Sequence, residues 1–294
     1  MTDLQFPDYS TNVVNDTISP EIIKAFQQFV FFYYTKNGRH NMEWRHTTNP
    51  YLITVSEVML QQTQVPRVET IYPKFIRKFP TPDALASATE ADVLSAWQGM
   101  GYNRRALSLQ KLCRIIRDEY HGIFPDDPDL LVKLPGIGPA TSCSIAAFAF
   151  NRPVVFIETN IRRIFIHCFF RNRETVDDTE LKPLVAATLP PSRAREWYWA
   201  LMDLGSVLKP AAGNPNRKST RYVKQPAFSG STRQARGAIL KYMLTVKTAT
   251  AKELADKFAL SESQVQKILE TMTDEGFFVR QASDIWAVKN SQTP

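Results

Sequence analysis

The chain has 294 residues, of which 44% are hydrophobic, and it carries a formal net charge of +7 at pH 7. This composition is typical of a globular protein, and the length suits one large domain with a small one, or two of middling size. The chain has no apolar run of about 18 residues and its first residues lack the basic and apolar regions of a secretory signal, so we expect a cytoplasmic protein that does not span a membrane.

The three cysteines, Cys113, Cys143 and Cys168, are far apart and lie in apolar helical patterns. An odd, scattered set is typical of a reducing compartment and of buried thiols. Because no pair has the spacing of metal ligands, the sequence does not predict a cysteine-based metal site.

The first part of the chain predicts an arm, a helix and a loop. Residues 1–19 have the pattern of a loose arm, and an apolar-rich segment from Pro20 predicts a helix that ends at Asn37 and Gly38. In the loop that follows, Trp44 and Arg45 are adjacent, and we expect this pair to be exposed.

The next helix carries an acid beside its buried face. Leu52, Val55, Val58 and Met59 have helical spacing, and Glu57 lies among them. A carboxyl group next to a buried stripe is expected to have a raised pKa, because burial disfavours its charged form, and a general acid near neutral pH needs such a shift. A glutamate on a solvated helix face is the alternative.

Residues 81–120 predict two or three helices, with Thr81 and Thr89 as N-caps. The turn GMGYNRR between two of them places Tyr102, Arg104 and Arg105 after a flexible glycine pair. Such a turn suits an aromatic wedge with arginines that reach phosphate, or an ordinary capped helix junction.

Two helices joined by the turn LPGIG, at residues 134–138, follow. Gly136 and Gly138 permit close backbone approach, and a helix is predicted from Pro139 to Phe150. The unpaired N–H groups at the start of that helix form an anion site that a nucleic-acid phosphate fits, although a tight helix connection would have the same pattern. The acid Glu158 then precedes a third helix, for which Thr159 and Asn160 are the candidate caps.

These motifs together resemble one family. The hairpin LPGIG with an acid one helix later is similar to the helix-hairpin-helix (HhH-GPD) superfamily of DNA glycosylases. Within it, SEVMLQQTQV at 56–65 matches the motif of MutY-like adenine glycosylases residue for residue, and WALMDLGSVL at 199–208 resembles the end of their catalytic domain. The resemblance implies a mainly α-helical, two-lobed glycosylase domain over residues 20–208.

The resemblance also implies the site. Cleavage of an N-glycosidic bond requires a flipped base, an acid that protonates it and a carboxylate that stabilises the sugar cation. Glu57 is expected to be the acid and Glu158 the second carboxylate, with both meeting across one extruded nucleotide. The residues expected to line the base pocket are Trp44, Arg45, Ala140, Asn160 and Trp199. Those expected to hold DNA here are Gln61, Gln62, Thr63, Tyr102, Arg104, Gly136, Gly138 and Thr141.

The chain departs from the family pattern at three positions that bear on the reaction. Ala140 replaces the lysine of lyase-active relatives, so we expect a monofunctional glycosylase. Ala140 also replaces a tyrosine of adenine-specific members, and Trp199 and Glu158 replace a Glu or Gln and an Asp. The expected base is adenine opposite 8-oxoguanine or guanine. The alternatives are another modified or deaminated base, such as thymine or uracil opposite guanine, or a catalytically silent DNA-binding descendant.

A basic segment follows the region of resemblance. Residues 209–236, here called the basic strap, hold seven basic residues and no acid. Among them Arg217, Lys218, Arg221 and Arg233 are expected to contact the DNA backbone, although a solvated linker is the alternative. Four cysteines that bind a [4Fe–4S] cluster usually stand here in the family, and this chain has none of them, so we expect no cluster and no required cofactor. The family also implies a monovalent cation, Na⁺ or K⁺, on the carbonyls of Val132, Leu134 and Ile137.

The last segment, residues 237–290, predicts three helices and a small hairpin, which is the pattern of a winged-helix domain. Its third helix carries Glu262, Glu270, Asp274 and Glu275 against Lys267 alone. Because an acidic helix is repelled by phosphate, packing or partner contact is the expected role. We expect a monomer that is associated with the nucleoid and binds double-stranded DNA with a damaged or mispaired base.

Overall fold

The computed structural model describes residues 5–224, 230–281 and 284–289, except for the side chains of 209–212. As predicted, the protein is mainly helical and has a small antiparallel sheet near its C-terminus. The helices α1 to α14 are, in order, Pro20–Asn37, Pro50–Leu60, Val65–Lys78, Pro82–Ser87, Glu90–Ala96, Arg104–Asp118, Pro128–Leu131, Pro139–Phe150, Thr159–Phe169, Asp178–Thr188, Ala194–Ala212, Thr232–Val246, Ala251–Phe258 and Glu262–Asp274. Short 3₁₀ turns occupy Glu43–Arg45, Pro191–Arg193 and Pro215–Lys218. Among these described helices none is long and apolar enough to cross a bilayer.

The chain divides into two compact units, each made of separate stretches of sequence. Unit 1 comprises Met1–Thr54, Pro125–Lys133 and Ile137–Lys224. Unit 2 comprises Val55–Phe124, Leu134–Gly136 and Gln225–Pro294.

The core of unit 1 forms where α1, α9 and α11 pack together. Phe26 of α1 lies edge-on to Phe165 and Phe169 of α9 and to Trp197 of α11, with ring centroids 5.0–5.8 Å apart. All four side chains are fully buried, and aromatic groups of this size contribute about 1.5–3 kcal/mol each through burial. This core fixes α9, whose first turn follows Glu158.

Residues 5–19 of the N-terminal arm are not loose, contrary to the prediction. Its backbone is tied to α9, because the amide of Tyr9 donates to the carbonyl of Cys168 at 2.7 Å. The Tyr9 ring stacks on Phe169, and Phe6 lies edge-on to His167. Apolar side chains that the polar composition of the arm obscured therefore dock it onto the core of unit 1.

The helices α4, α5 and α6 belong to unit 2, and they confirm the predicted caps. Thr81 accepts a hydrogen bond from the amide of Ala84, and Thr89 accepts one from the amide of Asp92. The buried Gln110 of α6 donates to the carbonyl of Ala88 at 2.7 Å. This bond satisfies the end of α4 and fixes α6 against it.

The C-terminal region, defined here as residues 230–281 and 284–289, contains the three predicted helices, α12 to α14. The first begins at Thr232, before the predicted start at Gly237, because Ser231 caps it. The predicted hairpin is β2, Phe278–Arg280, with β3, Ile285–Val288. Sequence reasoning missed a further strand, β1, Thr248–Thr250, which pairs antiparallel with the other side of β3.

Candidate functional site

Glu57 lies near the end of α2, where most of its neighbours along the helix are buried. Val55, Ser56, Val58 and Met59 are at most 1% exposed, whereas Glu57 itself is half-buried. The acid is therefore on the rim of an apolar helix face, as the pattern predicted, rather than on a fully solvated one. Its raised pKa stays a prediction.

Arg105, in the first turn of α6, holds the end of this helix. Its Nη1 donates to the carbonyls of Val58 at 2.7 Å and Met59 at 3.0 Å, and also to that of Gln61. Its Nη2 donates to Thr63 Oγ1 at 3.0 Å. One guanidinium thus occupies the carbonyls that the end of α2 leaves without helical partners.

Burial lowers the pKa of Arg105 to about 10, so the group stays charged at neutral pH. A partly buried cation at a helix C-terminus interacts favourably with the helix dipole. The turn predicts that Arg104 or Arg105 reaches phosphate. Arg105 instead donates its hydrogen bonds to groups within unit 2. No local pattern distinguishes these two adjacent arginines, because the difference depends on which of them faces the end of α2.

The turn after α2 has a strained backbone. Gln62 adopts a left-handed conformation with φ of 56°, and its side chain is exposed. Gln61 Nε2 donates to the carbonyl of Gly136 at 3.2 Å, so this turn is tied to the hairpin. A left-handed conformation at a residue other than glycine costs about 1 kcal/mol and persists only where surrounding contacts impose it. Here the imposing contacts are those of Arg105.

Tyr102 has the same unusual backbone, with φ of 47°, in a turn that also holds Gly99 and Gly101 at positive φ. Its side chain is 40% exposed, and the guanidinium of Arg105 lies 5.4 Å from its ring centroid. The Arg104 side chain is 73% exposed and lies 3.9 Å from Glu275. Arg233 Nη1 donates to Tyr102 Oη at 2.9 Å.

The glycine hairpin has the predicted form, with α7 before it and α8 after it. Gly136 has φ of 82°, and an added Cβ would lie 2.9 Å from Ser108 Cβ, so this position requires glycine. Gly138 is the N-cap of α8, and among the described residues no atom lies within 4 Å of where its Cβ would be. Ala140 is exposed and Thr141 half-buried in the first turn of α8. Its N-terminus therefore faces open space at Gly138, as an anion site requires.

Glu158 itself caps α9, which corrects the prediction that Thr159 or Asn160 would do so. Its Oε1 accepts hydrogen bonds from the amides of Asn160 at 2.7 Å and Ile161 at 2.8 Å. Its Oε2 accepts one from Asn160 Nδ2 at 3.3 Å. Burial raises the pKa of Glu158, while these amides and the nearby arginines oppose the rise.

The side chain of Asn160, predicted to line the base pocket, connects Glu158 to a buried arginine. Asn160 Oδ1 accepts from Arg163 Nη1 at 2.9 Å, and Arg163 also donates to the carbonyl of Gly205 on α11. Arg163 is 7% exposed, and burial lowers its pKa while Glu158 raises it. The carboxylate is thus held by its own helix and, through Asn160, by α11.

Trp44 and Arg45 are buried, so the expectation of an exposed pair is wrong. Trp44 is 5% exposed, and the guanidinium of Arg45 forms a two-pronged ion pair with Asp203 at 2.7 and 2.8 Å. Arg39 adds a further bond to Asp203 Oδ1 at 2.6 Å. A buried carboxylate needs charged partners of this kind, because burial removes its hydration. Sequence reasoning missed Asp203 because it lies on α11, far along the chain from Arg45.

Trp199 lies next to this ion pair. Its ring is stacked on Phe148 with centroids 5.7 Å apart, and the guanidinium of Arg45 lies 5.5 Å from it. Arg45 therefore lies against Trp199 while its donors are directed at Asp203, and the roles of both residues in a base pocket stay predictions. The half-buried indole gives this part of unit 1 an apolar, planar surface.

The first residues of the basic strap pack against unit 1. Asn216 is buried and donates to the carbonyl of Thr159 at 2.9 Å, and Lys218 Nζ donates to the carbonyl of Arg171 at 2.7 Å. Arg217 and Arg221 are exposed. Residues 216–218 of the strap thus lie beside α9, and the Arg217 and Arg221 side chains are exposed to solvent, while residues 225–229 lie outside the described part.

The cysteines are free thiols; Cys113 and Cys168 are buried and Cys143 is half-buried. Within the described ranges no group of three or more His, Cys, Asp and Glu side chains is arranged to hold a metal ion.

The residues predicted to form the site and to bind DNA fall into two sets, one in each unit. Unit 1 contains Trp44, Arg45, Gly138, Ala140, Thr141, Glu158, Asn160, Trp199, Arg217, Lys218 and Arg221, and unit 2 contains Glu57, Gln61, Gln62, Thr63, Tyr102, Arg104, Gly136 and Arg233.

Residues 55–185 match the family described as HhH-GPD superfamily base excision DNA repair protein. The chain is 34% identical to a protein named adenine DNA glycosylase from Mycolicibacterium smegmatis, over 84% of this chain and 90% of that one. It is 26% identical to the thymine/uracil-DNA glycosylase of Methanothermobacter thermautotrophicus, over 58% of this chain and 78% of that one. The structure of a thermostable thymine-DNA glycosylase superposes with a TM-score of 0.56 and 23% identity, covering 64% of this chain and 87% of that one.

Proposed function

We propose, from the premise that this chain belongs to the HhH-GPD superfamily and is a DNA glycosylase of base excision repair, that the base it excises is adenine opposite 8-oxoguanine or guanine. The observation that carries the proposal is the intact motif SEVMLQQTQV, whose acid stands on the rim of a buried helix face and whose turn is held by Arg105. The similarity to the mycobacterial adenine DNA glycosylase extends over most of both chains, which supports adenine as the substrate.

In the proposed reaction Glu57 gives its proton to the leaving base. The bond between the base and the sugar carbon breaks with its electron pair going to the base, and the sugar becomes an oxocarbenium-like cation. Water then adds to that carbon and gives its proton to the Glu57 carboxylate, which leaves an abasic site and restores the acid. General acid catalysis of this kind contributes about 10²–10⁴-fold to the rate.

Glu158 is the proposed stabiliser of the cation. A carboxylate serves this purpose when it is ionised and does not move as charge develops. The two amide hydrogen bonds from the first turn of α9 favour the ionised form and fix its orientation. Ala140, on the first turn of α8, has no amine for a Schiff base, so the proposed enzyme hydrolyses the bond without cutting the strand.

DNA is proposed to bind through the hairpin and the two strained turns. The N-terminus of α8 takes a phosphate at Gly138 and Thr141, Gln62 and Tyr102 enter the opened base pair, and Arg217 and Arg221 contact the backbone. Backbone carbonyl oxygens suit a hard cation, and Na⁺ or K⁺ on the carbonyls of Val132, Leu134 and Ile137 stays a prediction from the family.

A thymine or uracil opposite guanine is the second candidate substrate. It is favoured by the similarity to the thymine/uracil-DNA glycosylase and by the apolar surface of Trp199 where adenine-specific relatives carry a polar side chain. A flat indole discriminates between bases less sharply than a hydrogen-bonding group does.

The test is a panel of duplexes that contain A opposite 8-oxoguanine, A opposite G, T opposite G and U opposite G. Each is incubated with excess protein and then treated with alkali, which cleaves abasic sites. We expect the fastest cleavage with A opposite 8-oxoguanine, and a loss of at least about 100-fold in Glu57→Gln with binding retained. Glu69→Gln, which changes an exposed glutamate of α3, is the matched control.

Faster cleavage of the T or U duplexes would establish the second candidate. Tight binding of every duplex with no cleavage of any would show that the protein is a DNA-binding descendant. Full activity in Glu57→Gln would show that the acid has been assigned wrongly.

A further inference from the structure

Tyr102 is held at both of its ends by arginines from different parts of unit 2. The guanidinium of Arg105 lies 5.4 Å from the ring centroid, and Arg105 Nη2 donates to the carbonyl of Gly101 at 3.2 Å. At the other end the phenolic oxygen accepts a hydrogen bond from Arg233 Nη1 at 2.9 Å. Arg105 belongs to the helix that follows the turn, but Arg233 belongs to the C-terminal region.

The position of Arg233 depends on how the C-terminal region is built. Arg233 lies in the first turn of α12, which Ser231 caps and which packs against α5. One turn further on, Arg236 forms an ion pair with Glu275 at the end of α14. Glu275 is 19% exposed, so this pair is partly shielded from solvent and fixes the start of α12 to α14.

We propose that the C-terminal region is a part of the strand-opening apparatus, in which Arg233 is a positioning residue for the Tyr102 wedge. This rests on the proposed function, which assigns Tyr102 to the opened base pair. A wedge must enter the base stack in one orientation, and a tyrosine fixed only by its backbone has several rotamers available. A hydrogen bond from a charged donor to the phenolic oxygen selects one of them.

The same region also holds the second predicted DNA contact of the turn. Glu275 lies 3.9 Å from Arg104, whose side chain is largely exposed. This pair is longer than the one with Arg236, so a DNA phosphate can take Arg104 without disturbing α12. Glu275, which follows the last residue of α14, thus contacts both Arg104 and Arg236.

The test uses the full chain and a duplex in which 2-aminopurine, a fluorescent adenine analogue, is the target base. Stopped-flow fluorescence measures the rate of base-pair opening, and binding and thermal unfolding are measured separately. We expect Arg233→Gln and Tyr102→Phe each to slow opening by about tenfold, the range of one charge-assisted hydrogen bond, with the unfolding temperature unchanged. The double variant should be no slower than either single variant, because both remove the same bond.

Two further variants sharpen the result. Arg233→Lys should recover part of the opening rate, since a lysine keeps a charged donor. Arg280→Gln removes an exposed arginine of the same region that pairs with Asp284, and it should open base pairs at the normal rate.

Normal opening by Arg233→Gln, or additive losses in the double variant, would overturn the proposal. So would weaker binding of undamaged duplex with unchanged opening, because Arg233 would then be a phosphate contact. The fluorescence change reports base-pair opening whether or not the base is then excised. Slowed opening in Arg233→Gln therefore supports the positioning role even if the wild type excises no base. Conversely, normal opening in this variant beside full excision leaves the glycosylase assignment intact.

Discussion

Gly205 of α11 lies directly against Asn160 of α9. A Cβ built on Gly205 would be 2.7 Å from Asn160 Cβ and 2.8 Å from its carbonyl carbon. Atoms of the backbone cannot give way as a flexible side chain can, so this position admits only glycine. The close approach also brings the Gly205 carbonyl within reach of Arg163, which holds Asn160 and through it Glu158.

Gly205→Ala should therefore destabilise the protein, by about 2 kcal/mol or more, because overpacking outweighs the better helix propensity of alanine. Gly237→Ala is the matched control, since Gly237 also lies in a helix but has no neighbour within 4 Å of its Cβ among the described residues. That variant should be about 0.5–1 kcal/mol more stable. Urea unfolding of both checks the signs, and equal stability of the two variants would contradict the packing argument.

Arg105→Lys should reduce both stability and excision. A lysine cannot reach the carbonyls of Val58 and Met59 and the hydroxyl of Thr63 at once, so the end of α2 loses bonds worth about 3 kcal/mol in total. Arg114→Lys is the control on the same helix, because Arg114 bonds to the Ala86 carbonyl and to Glu90 away from these turns. We expect single-turnover excision per folded molecule to fall only in Arg105→Lys. An equal fall in the control would make the loss a general effect of α6.

Asp203→Asn should destabilise the protein by about 3 kcal/mol at pH 7, because it leaves Arg45 buried beside a neutral partner. Burial raises the pKa of Asp203, but bonds and charges from Arg45 and Arg39 outweigh it and hold the pKa below its ordinary 3.8. A lowered pKa gives stability that is present above the ordinary value and is lost as the pH falls through the lowered one. Urea unfolding between pH 7 and pH 3 should show the difference from wild type shrinking only below about pH 4.

The exposed ion pair of Asp126 with Arg152 provides the comparison for that result. Asp126→Asn should change stability by less than about 1 kcal/mol at pH 7. A difference between wild type and Asp203→Asn that stays constant down to pH 3 would show that the charge of Asp203 is not what stabilises the buried cluster.

The pH dependence of excision should report Glu158. Burial raises the pKa of Glu158 above the ordinary 4.5. As acid neutralises this carboxylate, the excision rate should therefore begin to fall at a higher pH than it would if the glutamate were exposed. Glu158→Gln should slow single-turnover excision by about 100-fold and remove that acid limb. It should not lower the unfolding temperature, since a neutral amide avoids the burial of charge.

Glu174→Gln, at an exposed glutamate of unit 1, serves as the control and should leave the rate and its pH profile unchanged. If Glu158→Gln kept the acid limb of the wild type, another group would be responsible for it.

Much of the fold followed from local patterns. The caps Thr81 and Thr89 and the hairpin around Gly136 could be predicted because each depends on residues a few positions apart. The strand β1 could not be predicted, because its three residues form a strand only by pairing with β3, which lies far along the chain. The docking of the N-terminal arm depends in the same way on distant partners.

The site shows the same division. Glu57 and Glu158 follow from a motif and a spacing, and their catalytic roles stay predictions. The burial of Trp44 and Arg45 escaped prediction because it depends on Asp203, which is 158 positions away from Arg45. Arg104 and Arg105 are neighbours in sequence, yet one is exposed and the other is enclosed by six carbonyl and hydroxyl oxygens, because only Arg105 faces the end of α2.

The packing of α12 on α5 bears on how this protein can be dissected in the laboratory. Although the family match ends at residue 185, a fragment trimmed to that boundary, or even to Lys224, would strip a neighbour from α5 and uncover surface meant for the interior. Such fragments should aggregate on expression, and grafting a foreign module in place of the C-terminal region should succeed only if the graft supplies its own cover for that helix.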